Sequence, residues 1–118
     1  EEQQMRAFPM RDITDRGLDA VLDEAVAAAT AGADGVFVSV DIDVVDPAAA
    51  PGTGAPEPGG LTARQILDAV NRLGRELDVV GADVVEVAPV YDAPADITAR
   101  LANRIVLELL DGMARRRA

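Results

Sequence analysis

Three carboxylates, Asp41, Asp43 and Asp46, fall within six positions of the stretch SVDIDVVDP at residues 39–47. They directly follow the apolar run Gly35-Val36-Phe37-Val38, which reads as a buried strand, and buried strands exclude charge. Asp41 and Asp43 are two apart. In an extended backbone alternate side chains point the same way, so both carboxylates can reach one point. Two anions held together at the mouth of an apolar strand repel each other and lose hydration, and one takes up a proton unless a cation joins them. A hard divalent ion such as Mg²⁺ or Mn²⁺ removes the difficulty. Taken alone, a DxD pair is short and common, and its commoner role is to cap turns and neighbouring helices. Asp46 precedes Pro47 and is expected to bond backbone N–H groups of its own loop. Further on, Glu86 closes the run Val84-Val85. It reads as an exposed strand end, as the partner of an arginine, or as a buried anion that awaits a cation. Tyr91 and Asp92 follow, and Asp92 reads first as the cap of the last helix.

These acids need elements to hold them. Leu18, Val21, Leu22, Ala25, Val26 and Ala29 recur at helical spacing, with Thr14 as the expected N-cap and Gly32 as the stop signal. A strand is predicted over residues 35–41, and a long loop over residues 44–60 carries four prolines and four glycines. Its glycines, in PGTG and Gly59-Gly60, read as tight turns or as places where backbone meets a ligand. Thr62-Ala63-Arg64-Gln65 is a capping box and opens a helix with Ile66, Val70, Leu73 and Leu77 on its apolar face. A second strand is predicted over residues 79–87. A last helix starts near Ala95, with Ile97, Leu101, Ile105, Leu109 and Met113 on one stripe, and closes on Arg115-Arg116-Arg117, which suits the negative end of its dipole. A short strand over residues 6–10 precedes the first helix. Strands alternating with helices predict an α/β fold with a parallel sheet covered on both faces. In such sheets ligands bind beyond the carboxyl ends of the strands, which is where Asp41, Asp43 and Glu86 fall.

Composition narrows the ligand. With 118 residues and 49% hydrophobic content, mostly aliphatic, the chain is the size of one domain with ample core material. Its formal charge of −10, from 21 acids and 11 bases, disfavours nucleic acid and anionic lipid and suits cationic ligands. There is no cysteine and no histidine, and every base is an arginine. A metal site drawn from this chain alone must therefore use oxygen ligands, and a general base must be a carboxylate, a tyrosine or a bound water. No apolar run approaches the ~20 residues of a membrane span. The start, EEQQMRAF, lacks the basic and apolar regions of a secretion signal, so no membrane association and a cytoplasmic location are expected.

Read together, SVDIDVVDPAAAPGTGAPEPGGLT and VVEVAPVYD resemble the ureohydrolase family of arginase, agmatinase and relatives acting on other guanidino compounds. The likeness covers essentially all 118 residues, and PGTG with EVAPVYD is closer to the agmatinase branch. The resemblance implies a three-layer αβα sandwich with a mainly parallel sheet, and a homo-oligomer. It implies hydrolysis of a small cationic guanidino substrate, agmatine fitting best, to urea and an amine by a pair of Mn²⁺ ions. By motif, Asp41 and Asp43 would be catalytic metal ligands, Asp41 the bridging one, and Glu86 would hold the substrate guanidinium. The family's site also uses histidines, and this chain has none. Residues 1–118 are accordingly expected to be the C-terminal segment of one incomplete domain, inactive in isolation and prone to associate through its uncovered sheet.

Three other readings compete. A nucleotide-sugar transferase uses a DxD with Mn²⁺ and a diphosphate, but so acidic a chain is poorly placed for an anionic donor. A receiver-like signalling domain would use a lysine, which is absent here. A noncatalytic α/β interaction module, or a degenerate ureohydrolase, would keep the acids only as caps, and metal binding separates it from the enzyme.

Overall fold

The computed structural model describes residues 5–117. Helix α1 (Met10–Arg16) is followed by α2 (Leu18–Thr30), strand β1 (Val36–Asp41), helix α3 (Ala63–Glu76), strand β2 (Val79–Val85) and helix α4 (Ile97–Arg117). Short 3₁₀ turns lie at Ile42–Val44 and Pro89–Tyr91. The two strands pair in parallel, with Val38 opposite Ala82, Val40 opposite Val84 and Asp41 opposite Val85. Alternation along β1 turns Val38 and Val40 into the core and leaves Phe37, Ser39 and Asp41 outside.

The parallel α/β character agrees with the sequence. Among the described residues, however, Phe37 is 60% exposed on the outward face of β1, the pattern of a strand covered on one side. A single crossover through α3 deposits its helices on one face, and covering the other takes strands added in the opposite direction. Val38, Val40, Ile42, Val45, Ile66, Leu67, Val70, Leu101 and Ile105 form the core cluster between strands and helices. No helix among the described residues is long and apolar enough to cross a membrane.

The N-terminal part differs from expectation. Residues 5–9 form no strand. Pro9, with φ −67° and ψ 162°, is the N-cap of α1 and supplies no side-chain cap, while Asp12 in the first turn suits the positive end of the helix. Thr14 is no cap: it lies inside α1 and its hydroxyl donates to the Met10 carbonyl at 3.0 Å. The break falls at Gly17 instead. Its φ of 87° suits a residue without Cβ, and it serves both as the C-cap of α1 and the N-cap of α2.

The later elements follow the sequence more closely. Thr62 and Gln65 make the full capping box of α3. The buried stripe of α4 runs through Thr98, Leu101, Ile105, Leu109 and Gly112, so it is shifted by one residue at each end from the one predicted. Ile97 is 44% exposed. The shift lets α4 seat against α3 at two glycines. A Cβ on Gly74 would lie 2.6 Å from the Leu109 carbonyl oxygen, and one on Gly112 would lie 2.2 Å from that of Asn71. Asn71 then donates to the Glu108 carbonyl at 3.2 Å and to Asp111 at 2.9 Å. Arg116 donates to the Glu76 carbonyl at 2.8 Å, so it complements the end of α3 as well as its own helix.

This contact makes a prediction. Gly112→Ala forces the two helices apart and is expected to destabilise the protein by about 1–3 kcal/mol, the usual range for overpacking. An earlier midpoint in urea unfolding checks it, and an unchanged midpoint would mean that the helices separate freely.

Candidate functional site

The C-terminal ends of β1 and β2 meet at one edge of the sheet, and the acids gather there. Parallel register sets Asp41 opposite Val85, one residue before Glu86. Asp41 is the last residue of β1 and Asp43 lies in the 3₁₀ turn beyond it. The extended alternation expected for the pair therefore stops at Asp41. What joins the two instead is local: the Asp41 carboxylate accepts the Asp43 backbone N–H at 2.9 Å and caps the turn. Both acids remain at the edge, Asp41 exposed and Asp43 half-buried.

Asp43 carries the clearest electrostatic signal. Burial pushes its carboxyl pKa up, and the neighbouring Asp41 charge pushes the same way. Its Oδ1 accepts the hydroxyl of Thr53, a residue only 3% exposed. Thr53 was legible only as part of PGTG, and nothing in the sequence marked its hydroxyl as the partner of Asp43 ten residues earlier.

Glu86 does not belong to β2. The strand ends at Val85 and Glu86 turns the chain with φ 65°. A residue with a Cβ is strained in that left-handed region. Glu86 is exposed and has no ion pair among those of the described residues. Of the alternatives read from the sequence, Glu86 is exposed one residue past the strand end, and no arginine pairs with it among the described residues.

The loop between β1 and α3 is held from within. Asp46 accepts the N–H of Ala48 at 2.8 Å through Oδ1 and that of Gly59 at 2.8 Å through Oδ2, which is the role its Asp-Pro context implied. These bonds hold its carboxyl below the usual carboxylate range. The loop's base closes where the Leu61 N–H donates to the Val44 carbonyl at 2.8 Å and that of Asp46 to the Leu61 carbonyl at 2.9 Å. Gly60 permits this approach, since a Cβ there would lie 2.6 Å from the Val44 oxygen. The loop glycines at 52 and 60 thus meet the chain's own atoms.

Asp92 caps α4 as expected. It accepts the Thr98 N–H at 3.0 Å and the Ala99 N–H at 3.1 Å. Partial burial opposes its ionisation, but the bonds from Thr98, Ala99 and Ala93 outweigh it and the carboxyl pKa is lowered. Apolar spacing alone points to Ile97, one residue early, and passes over Thr98. The signal was the polar residue three positions before Leu101, at the spacing of the true buried face.

The donor chemistry fits a hard divalent cation in part. Two carboxylates stand at one sheet edge, and one is pushed toward protonation by burial and the other's charge, a conflict that a cation resolves. Among the described residues no group of three metal-ligating side chains occurs, so these residues offer a partial donor set.

Comparison with known proteins gives a consistent picture. The family model described as "Arginase family" matches residues 1–111. A formimidoylglutamase of Halalkalibacterium halodurans is 40% identical over 112 residues, covering 95% of this chain and 35% of the relative. An agmatinase of Chromobacterium violaceum is 49% identical over 98 residues, covering 83% of this chain and 29% of the relative. The crystal structure of an arginase from Bacillus subtilis superposes with a TM-score of 0.84 at 34% identity, covering 90% of this chain and 37% of that one. The chain thus spans about a third of the length of the proteins it matches.

The Asp46 geometry has a pH consequence. Its folded pKa is depressed, so its contribution to stability is complete above the ordinary carboxylate range and is lost as pH falls through that range toward the folded value. Asp46→Asn is expected to lower stability at neutral pH and to flatten the loss on acidification. Urea midpoints measured from about pH 6 to about pH 3 check this. An acid limb as steep as that of the unsubstituted protein would show that other carboxylates set it.

Proposed function

The chain belongs to the arginase family and carries part of its fold, and from that premise we propose that it supplies one edge of a ureohydrolase active site. The reaction is hydrolysis of a small cationic guanidino compound, agmatine fitting the sequence best, to urea and an amine. The observation that carries the reading is the parallel register, in which Asp41, the last residue of β1, pairs with Val85 and so stands one residue from the level of Glu86, at the carboxyl ends of both strands.

Asp41 and Asp43 would hold Mn²⁺, since hard oxygen donors suit that ion. When bound, the metal pair would supply an activated water near neutral pH. Thr53 orients Asp43 by donating to Oδ1, which leaves Oδ2 free of that bond. Glu86 would take the guanidinium through charge-assisted hydrogen bonds. Its exposure at the strand end leaves both carboxylate oxygens open to a ligand. The net charge of −10 favours a cationic substrate over an anionic one. The remaining donors and the second covering layer of the sheet would come from the rest of the protein. The relatives bear names of different activities over this same segment, so the residues that choose the substrate are expected outside it.

A noncatalytic α/β module is favoured by one observation. Asp41 and Asp43 already make hydrogen bonds within the chain, as caps and turn residues do. Metal affinity decides between the two readings.

The test uses the complete protein loaded with Mn²⁺ and assayed on agmatine, arginine, guanidinobutyrate and guanidinopropionate for urea, and on a formimidoyl amino acid for formamide. Urea from agmatine is expected, whereas no product and no Mn²⁺ binding would leave the module reading. Asp41→Asn and Asp43→Asn are each expected to lower kcat/KM by more than the roughly 100-fold typical of groups that only support metal ligands. Glu86→Gln, which removes one charge-assisted bond, is expected to cost on the order of 10- to 100-fold. Thr53→Val should weaken Mn²⁺ binding about 10- to 100-fold while Thr53→Ser retains it, as titration calorimetry would read.

A further inference from the structure

Two loops carry the acids of the site, and neither ends at them. The loop after β1 continues from Asp43 to Gly52 and Thr53. The segment after β2 continues from Glu86 to Asp92. These segments meet at a single junction on the first turn of α4. The Gly52 N–H donates to Thr98 Oγ1 at 2.8 Å, and the Gly52 carbonyl accepts the Ala88 N–H at 2.8 Å. A Cβ on Gly52 would lie 2.8 Å from Asp92 Cγ, so the Asp92 carboxyl is wedged against the backbone of the first loop while it caps α4. Thr98 is fully buried.

The backbone shows that this region is held under strain. Glu86, Ala95 and Asp96, with φ of 65°, 71° and 54°, are the non-glycine residues in the left-handed region among those described. All three flank the segment that the junction grips. Such conformations persist where surrounding structure over-determines them, and they cluster where geometry matters. A buried hydroxyl, a wedged carboxylate and a glycine that tolerates no side chain supply that over-determination.

We infer that Thr98 and Asp92 are positioning residues for the reaction: they lock the loop carrying Asp43 to the segment carrying Glu86, and so fix the distance between the metal edge and the guanidinium-binding carboxylate. This rests on the function proposed above. Neither residue touches substrate or metal. Their effect travels through Gly52 to Thr53 and Asp43 on one side, and through Ala88 to Glu86 on the other.

The test is Thr98→Val in the complete protein, which keeps the branched shape and removes the hydroxyl that Gly52 uses. Two quantities are read, amide hydrogen exchange and steady-state kinetics with Mn²⁺ and agmatine. Exchange at the Gly52 and Ala88 amides is expected to rise roughly tenfold or more, as for a lost hydrogen bond in a local opening. Exchange at the Leu77 amide, bonded to the Leu73 carbonyl, should not change. The value of kcat is expected to fall on the order of 10- to 100-fold, the scale of a small misplacement of reacting groups, and Thr98→Ser should restore both quantities. Asp92→Asn, which replaces one of the two accepting oxygens, should move them in the same direction and stands in if Thr98→Val does not fold. Unchanged exchange at Gly52 and Ala88 overturns the junction. Faster exchange at Gly52, Ala88 and Leu77 alike reduces it to a general stabilising contact, and faster local exchange with kcat intact overturns the positioning role. A complete protein with no activity on any guanidino compound overturns the proposed function and the positioning role with it, while the exchange data still report whether the lock exists.

Discussion

Parallel pairing of β1 with β2 is the constraint on which everything else depends. An antiparallel pair would send the two strand ends to opposite edges and scatter the acids. A parallel pair cannot be closed by a tight turn and needs a long crossover, and α3 with its leading loop provides it. That crossover fixes the residues that must be apolar: Val38 and Val40 on the strand, Ile66, Leu67 and Val70 on the helix. It also leaves the residues just past each strand free to be polar. Asp41, Asp43 and Glu86 occupy that freed edge because nothing in the core competes for it.

The polar interior of the loops is organised by few groups. Asp46 ties the first loop to itself, the capping box of Thr62 and Gln65 fixes where α3 starts, and Asp92 fixes where α4 starts. Among the described residues no buried side-chain polar atom is left without a partner. This matters more than its small count of bonds suggests, because an unpaired polar group buried beside charged carboxylates costs more than the bond gains. The surface ion pairs, such as Arg64 with Asp68 at 3.2 Å, are exposed and contribute little by comparison.

The sequence announced most of this where a local rule was strong. The capping box, the Asp-Pro turn, the apolar strand and the Asp92 cap each follow from chemistry within a few residues, and each is found. Reading failed where the deciding contact was remote or a matter of one residue. Gly17 was overlooked beside the more conventional Thr14, although only a residue without Cβ adopts its backbone comfortably. Apolar periodicity puts the stripe of α4 on Ile97, whereas the residue buried there is Thr98. Its hydroxyl oxygen accepts the N–H of Gly52, 46 residues away. The edge position of the acids was legible, but the turn that begins at Ile42 and the left-handed Glu86 were not, since both depend on where the strands stop pairing.

The glycine contact between α3 and α4 has a mechanical reading. Position errors along a chain of soft links accumulate, so a loop anchored only to other loops inherits the thermal motion of them all. The first turn of α4 is instead part of a 21-residue helix whose backbone meets that of α3 at Gly74 and Gly112. Backbone against backbone is a stiff link with no rotamers to flex. The junction on Thr98 and Asp92 thereby ties both acid-bearing segments to a helix that is itself seated backbone to backbone on α3.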